Sequence, residues 1–145
     1  MSMYKCYLVA FLFLLSCKCP QYTAETFPDK QLIVGKSGGF AGKETSYVVL
    51  NSGQVFEKTF PDEKTTEMKG LKASSVRKLF KTAWKKGWKD YKYNKPGNLT
   101  HFVIFKDKSF ENKVSWSVSD TLVSKDIRKL HSDLYHIVNP KSSVK

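Results

Sequence analysis

Cysteine is scarce in this chain of 145 residues, which contains only three, at Cys6, Cys17 and Cys19. No two of them have the Cys-x-x-Cys spacing. That absence excludes the common zinc-binding and thiol-redox motifs, which depend on paired cysteines at short spacing.

Arginine is nearly absent although the chain is strongly basic. The formal net charge is +12, yet Arg77 and Arg128 are the only arginines beside 23 lysines. Arginine binds phosphate and carboxylate with a planar fork, whereas lysine is a well-hydrated point charge. The lysine excess is typical of an ordinary solvated surface, or else of a general attraction to anionic glycans, lipid head groups or an acidic protein.

Long apolar runs are absent as well. The run Tyr7–Leu15 has nine residues, whereas a membrane-spanning helix needs about 18 or more. Its length, and Lys5 before it, are typical of the apolar core of a secretory signal peptide. We therefore expect the chain to be exported, and no nucleic acid is expected as a partner.

The stretch Leu14-Leu15-Ser16-Cys17 resembles the lipobox of bacterial lipoproteins. The resemblance implies cleavage before Cys17 and a diacylglycerol on its thiol, so that palmitate-type acyl chains anchor the protein in a membrane. Lys18 stands where many inner-membrane lipoproteins of Gram-negative bacteria have Asp, which implies the outer membrane. Ordinary secretion after cleavage at another site and an uncleaved N-terminal anchor are the alternatives.

The remaining sequence divides into a short tether and one domain. We predict a signal peptide over residues 1–16, a lipidated tether over 17–30 and a single domain over 31–145. The tether has two prolines and no apolar periodicity, which indicates irregular structure. Because Cys6 would leave with the signal peptide and Cys17 would carry lipid, Cys19 would have no disulfide partner.

The glycine-rich segment at 35–42 does not complete a phosphate-binding loop. A P-loop needs a glycine five residues before its Gly-Lys pair; Lys30 stands there for the pair containing Lys36, and Ser37 stands there for the pair containing Lys43. We interpret the glycines as positions of a hairpin turn or bulge that require positive φ. An exposed anion-binding nest between Lys36 and Lys43 is the alternative.

Signals for catalysis are equally weak. The chain has no G-x-S-x-G motif and few paired carboxylates, so nothing indicates a nucleophile or an acid–base pair. His131 and His136 are five residues apart and do not share a helix face as a metal-binding pair would. With His101, they are interpreted as structural or surface residues. The sequence predicts no enzyme activity, no cofactor and no metal site.

Apolar periodicity predicts several short strands and two helices. Glycine or polar turns separate the strand patterns Leu32–Val34, Thr45–Leu50, Gln54–Lys58, Leu99–Phe105 and Phe110–Ser117, which indicates hairpins. The helical stripes follow the i, i+3, i+4 pattern. The first begins with Ser74 or Ser75 as a cap and ends at Gly87, and the second begins near Ser124 and stops at Pro140; their apolar positions are Val76, Leu79, Phe80, Ala83 and Trp84, then Ile127, Leu130, Leu134 and Ile137 or Val138.

This order predicts an α+β fold with the arrangement ββ(β)-α-ββ-α. We expect an antiparallel sheet of four to five strands with two amphipathic helices on one face. The layout is similar to small uncharacterised domains of Bacteroidetes-type lipoproteins, which share a glycine-rich turn, a Tyr-bearing strand, a polar-Gly hairpin turn and a helix. That resemblance implies no known catalytic residues.

Aromatic residues and lysines alternate after the first helical stripe. Trp88, Tyr91 and Tyr93 lie among five lysines, at Lys85, Lys86, Lys89, Lys92 and Lys95. Such a segment is typical of a surface that binds glycans or acidic proteins by stacking and charge. The alternative is that its rings seal the helix end against the sheet.

Together these features predict a lipid-anchored, non-catalytic protein of the cell envelope that binds an envelope or extracellular macromolecule. An inhibitor or accessory protein of an envelope or host hydrolase is the alternative. The lipid site is Cys17, and the candidate binding residues are Lys36, Lys43, Trp88, Tyr91 and Tyr93.

Overall fold

A computed structural model describes residues 21–140 and has seven strands and two α-helices in that range. The predictions for the signal peptide and for Cys17 lie outside these residues. The strands are β1 (Gln31–Gly38), β2 (Lys43–Leu50), β3 (Val55–Phe60), β4 (Lys64–Met68), β5 (Asn94–Lys95), β6 (Leu99–Asp107) and β7 (Phe110–Ser117). The helices are α1 (Ala73–Lys85) and α2 (Lys125–Val138), and a 3₁₀ turn, Trp88–Asp90, follows α1.

The strands form one mixed sheet in the order β4-β3-β2-β1-β6-β7-β5. All neighbours are antiparallel except β5, which pairs in parallel with β7. The predicted α+β class is confirmed, but the expected count of four to five strands is too low. The missed strands lie at the two edges: β4 is polar and mostly exposed, and β5 has two exposed residues, so neither carries an apolar alternation.

The glycine-rich segment turns the chain between β1 and β2. Gly38, Gly39 and Gly42 have φ values of 104°, 77° and 58°, a region that residues with a Cβ rarely occupy. The hairpin interpretation of these glycines is therefore confirmed. Phe40, at the tip of the turn, is fully exposed.

Both helices pack on the same face of the sheet. Val76, Phe80 and Ala83 of α1 are buried in one apolar cluster with residues of β1, β2, β3, β6, β7 and α2. The helix begins at Ala73 with Lys72 as its N-cap and has no side-chain cap hydrogen bond, so the expected serine cap was wrong. Gly87, with φ of 71°, follows its C-terminus as predicted.

The second helix buries a wider stripe than its apolar residues predict. Its buried residues are Ile127, Leu130, His131, Leu134, Tyr135 and Val138, whereas Ile137 is 58% exposed. The two polar rings among them lie toward the end of the sheet that carries the β1–β2 turn, because they contact Lys36 and His101 there.

The segment at 21–30, which was assigned to a tether, packs on the opposite face of the sheet. Tyr22 and Phe27 contact a small cluster of Val48, Leu50 and Phe56, and the rings of Phe27 and Phe56 are 4.8 Å apart. Gln54 accepts a hydrogen bond from the N–H of Tyr22 and donates one to its carbonyl, both 3.0 Å long. The chain thus enters beside the β2–β3 turn, at the end of β1 away from the glycine-rich turn.

Candidate functional site

A cavity of about 250 Å³ opens between α2 and the end of the sheet that carries the β1–β2 turn. Its polar lining is mostly basic, and we call it the basic pocket. The lining residues are Lys36, His101, Trp116, Val118, Arg128, His131, Ser132, Tyr135 and His136.

Strand alternation directs Lys36 and His101 into this pocket. Leu32 and Val34 are buried under the helices, and Lys36 is the next residue of β1 on that face. His101 is the direct partner of Lys36 across the β1–β6 pair, so it points to the same side. Both side chains stand where the apolar core ends and α2 crosses the sheet.

The second helix supplies the opposite wall. Arg128, His131, Ser132 and Tyr135 are spaced i, i+3, i+4 and i+7, which places them along one helix face. His131 is 3% exposed and is held by a 2.9 Å hydrogen bond between its Nε2 and the carbonyl oxygen of Gly35. Because a carbonyl only accepts, Nε2 carries a proton and donates it.

Aromatic rings surround the two histidines. The rings of His101 and His131 stack with their centroids 4.6 Å apart, and His131 also stacks on Tyr135 at 5.5 Å. Trp116 meets both histidines edge-on, at 5.9 Å from His101 and 5.3 Å from His131. Lys36 Nζ lies 4.1 Å from the centre of the Tyr135 ring, a cation–π contact. The pocket wall is therefore held by packed rings.

Burial keeps both histidines neutral at physiological pH. The pKa of His101 and the pKa of His131 are each lowered from 6.5 to about 4, mainly by burial, and the charge of Lys36 lowers both further. Burial also lowers the pKa of Lys36. The lining also contains the guanidinium of Arg128, and none of its nine residues is Asp or Glu.

This arrangement suits an anion. Two cationic side chains, a serine hydroxyl and imidazole groups converge on a partly enclosed space, where electrostatic attraction is stronger than in bulk water. The charge of the lining therefore complements a negatively charged ligand.

The predicted residue Lys36 lies in this pocket, whereas Lys43 does not line it. Lys43 pairs with Gly38 at the start of β2 and is exposed. It lies on the same face as Lys36, two residue pairs nearer to the turn. The glycine turn itself does not bring the two ammonium groups together in the basic pocket.

The aromatic residues Trp88, Tyr91 and Tyr93 lie elsewhere. All three are partly buried and pack against the main core. The rings of Tyr91 and Tyr93 stack with centroids 6.1 Å apart. Tyr91 Oη accepts a 3.1 Å hydrogen bond from the N–H of Ser124.

The hydroxyl of Tyr93 is also used within the domain. It donates a 2.6 Å hydrogen bond to Asp120, which raises the pKa of Tyr93 to about 12 and lowers that of Asp120. These contacts favour the interpretation that the tyrosines seal the domain. A binding role for the three aromatic residues stays a prediction.

Sequence reasoning missed His101, Arg128 and His131 as site residues. The spacing of Arg128, His131 and Tyr135 on one helix face was visible in the sequence. Because only the pair His131 and His136 was considered for a shared helix face, this spacing was not recognised as a site. The position of His101 beside Lys36 depends on the pairing of β1 with β6. No local sequence pattern predicts that pairing.

Comparison with known proteins assigns no family. A scan against protein-family models finds no match, and a search of curated proteins finds no significant one.

Within residues 21–140, neither helix combines the length and apolar content needed to cross a membrane. The same part of the chain contains no group of three or more His, Cys, Asp or Glu side chains placed to hold a metal ion.

Proposed function

We propose that this protein is a lipid-anchored, non-catalytic component of the cell envelope, in the outer membrane of a Gram-negative bacterium, that binds an anionic macromolecule. The observation that carries the binding proposal is the basic pocket, where Lys36 and Arg128 converge beside the buried His131 and the partly buried His101 without any lining carboxylate. The lipid anchor rests on the resemblance of the segment ending at Cys17 to a lipobox.

The size of the pocket favours a single charged group as the bound moiety. Its volume of about 250 Å³ lies below the roughly 300–1,000 Å³ of sites that enclose a whole small molecule. One pendant carboxylate, sulfate or phosphate of a polyanionic glycan fits that description. Acidic lipids and acidic proteins carry the same groups and are the other partner classes. Exposed Lys43, on the same face of the hairpin, would extend the contact along a polymer.

The position of the chain entry is consistent with this role. Tyr22 lies beside the β2–β3 turn on the helix-free face, whereas the pocket opens on the helix side toward the β1–β2 turn. An anchor at Cys17, four residues before Gln21, would therefore attach the domain at the end away from the pocket. The pocket would face outward from the membrane surface.

The experiment is equilibrium binding of dextran sulfate, with neutral dextran as the matched probe. Arg128→Gln should weaken dextran sulfate binding about ten- to a hundredfold, because a hydrogen bond to a charged group contributes about 1.5–3 kcal/mol. Lys78→Gln removes the same formal charge from an exposed position of α1 and should change binding little. Equal losses in the two variants would mean that only general charge attraction operates, and the pocket would lose its proposed role.

An inhibitor of an envelope or host hydrolase is the second candidate, and Phe40 is the observation that favours it. This ring is fully exposed at the tip of the glycine turn, where it could enter a substrate cleft. Phe40→Ala should then abolish inhibition of a lysozyme or a serine protease while leaving dextran sulfate binding intact. Absence of inhibition by the wild-type protein in both assays would remove this candidate.

A further inference from the structure

An apolar groove of about 650 Å³ runs between α1 and α2 on the outer side of the helical layer. We call it the interhelical groove. Six aliphatic side chains are among its lining residues: Leu71, Val76, Leu79, Leu130, Leu134 and Ile137. Trp88 and Lys86 lie at one end of α1, and Lys72 and Ser75 lie at the other.

This groove is separate from the basic pocket because the two use different faces of α2. The pocket takes Arg128, His131 and Tyr135, whereas the groove takes Leu130, Leu134 and Ile137. Leu79 of α1 is only partly buried and Ile137 is 58% exposed. Leu79 also packs against the main core, and the exposed parts of both side chains line the groove, where they present apolar surface to a ligand.

The α1 N-terminus gives one end of the groove an affinity for negative charge. Helix α1 starts without a side-chain cap hydrogen bond and has no acidic residue in its first turn. The N–H groups of Ser75 and Val76 both donate to the carbonyl oxygen of Lys72, so the positive end of the helix dipole is what this end of α1 offers an anion. Lys72 and Ser75 flank the same end, and within residues 21–140 Lys72 makes no ion pair.

The remaining charged side chains of the groove each have a favourable contact within the domain. Lys129 and Asp133 form an ion pair of 2.7 Å, and Asp126 lies in the first turn of α2, where it suits the helix dipole. Lys86 lies over the ring of Trp88 at 5.4 Å. The charge that a ligand would meet at the α1 N-terminus is thus positive.

We propose that the interhelical groove binds a long-chain fatty acid, with its hydrocarbon chain on the aliphatic surface and its carboxylate at Lys72 and the α1 N-terminus. The volume lies within the range of small-molecule sites, and an apolar surface with one cationic end matches a single-chain anionic amphiphile. A second copy of this chain fits less well, because a net charge of +12 opposes pairing of two like-charged surfaces.

The test is displacement of the fluorescent fatty acid cis-parinaric acid by palmitate, with hexadecanol as the uncharged competitor. It uses the Cys17→Ser background, so that acyl chains of the chain's own anchor are absent. Ile137→Gln should weaken binding of both competitors at least tenfold, since the exposed position allows the change without loss of the fold. Leu122→Gln is the matched control, because Leu122 is 75% exposed and lies outside the groove.

The head-group assignment is tested by Lys72→Gln against Lys78→Gln. Lys72→Gln should weaken palmitate several-fold and leave hexadecanol unchanged, whereas Lys78→Gln should change neither. Saturable displacement that is identical in Ile137→Gln and Leu122→Gln would overturn the proposal. So would a wild-type dimer in sedimentation that Ile137→Gln converts to a monomer, because a second copy would then cover the groove. Neither result bears on dextran sulfate binding at the basic pocket.

Discussion

Acid should destabilise this protein in a defined pH range because His131 is buried as a neutral ring. Its pKa is about 4 in the folded state, against the ordinary value of 6.5. Between these values the unfolded chain binds more protons than the folded one, so the free energy of unfolding falls as pH falls. This contribution to stability is complete above about pH 6.5. We expect a loss of about 2 kcal/mol by pH 5 from His131 alone.

His101 should add to this loss, since its pKa is lowered in the same direction to about 4. Its contribution should be smaller because the ring is only partly buried. Asp120, which accepts a hydrogen bond from Tyr93, titrates below this pH range, because its pKa lies below its ordinary value of 3.8. The loss between pH 6.5 and pH 5 is therefore assigned to the paired histidines.

Urea denaturation at a series of pH values measures the effect. His131→Gln keeps an N–H that can donate to the Gly35 carbonyl but removes the titrating ring, so its stability should depend less on pH between 7 and 5. Ile137→Gln changes an exposed, non-titrating side chain of the same helix and should retain the wild-type slope. Parallel pH profiles for wild type and His131→Gln would refute the reasoning.

Three further outcomes are expected. Gly35→Ala should cost more than about 1 kcal/mol in urea denaturation, because a Cβ there would overlap the Phe102 ring; unchanged stability would show that the ring can move aside. Phe80→Ala should lower the free energy of unfolding by about 3–5 kcal/mol because Phe80 is 2% exposed. Arg77→Ala, at an exposed position, should lower it by less than about 0.5 kcal/mol. Equal thermal shifts for the two variants would mean that α1 packs on the sheet with a different face. Cys17→Ser should abolish metabolic labelling with palmitate, and persistent labelling would contradict the lipid anchor.

Local patterns in the sequence predicted the elements that bury an apolar stripe. The period of Val76, Phe80 and Ala83 identified α1, and glycine or polar turns identified the predicted hairpins. Strand β4 was missed because an edge strand contacts only one neighbour and leaves polar residues in solvent. Strand β5 has two residues, too few for any periodicity.

The site was less predictable because it depends on contacts between distant residues. Lys36 and His101 are 65 residues apart in the sequence and become neighbours only through the pairing of β1 with β6. His131 reaches Gly35 across a separation of 96 residues. Ionisable side chains at the end of an apolar stripe were visible in the sequence, but their convergence follows from sheet order and from where α2 crosses the strands.

Histidine NMR with inorganic sulfate tests the central claim most directly. Sulfate in the basic pocket would favour the charged form of the imidazole rings, because an adjacent anion stabilises a cation. We predict that sulfate shifts the ring C–H resonances of His101 and His131 and raises their pKa from about 4, and that Arg128→Gln removes both effects. Resonances and pKa values that stay unchanged in saturating sulfate would contradict an anion-binding pocket.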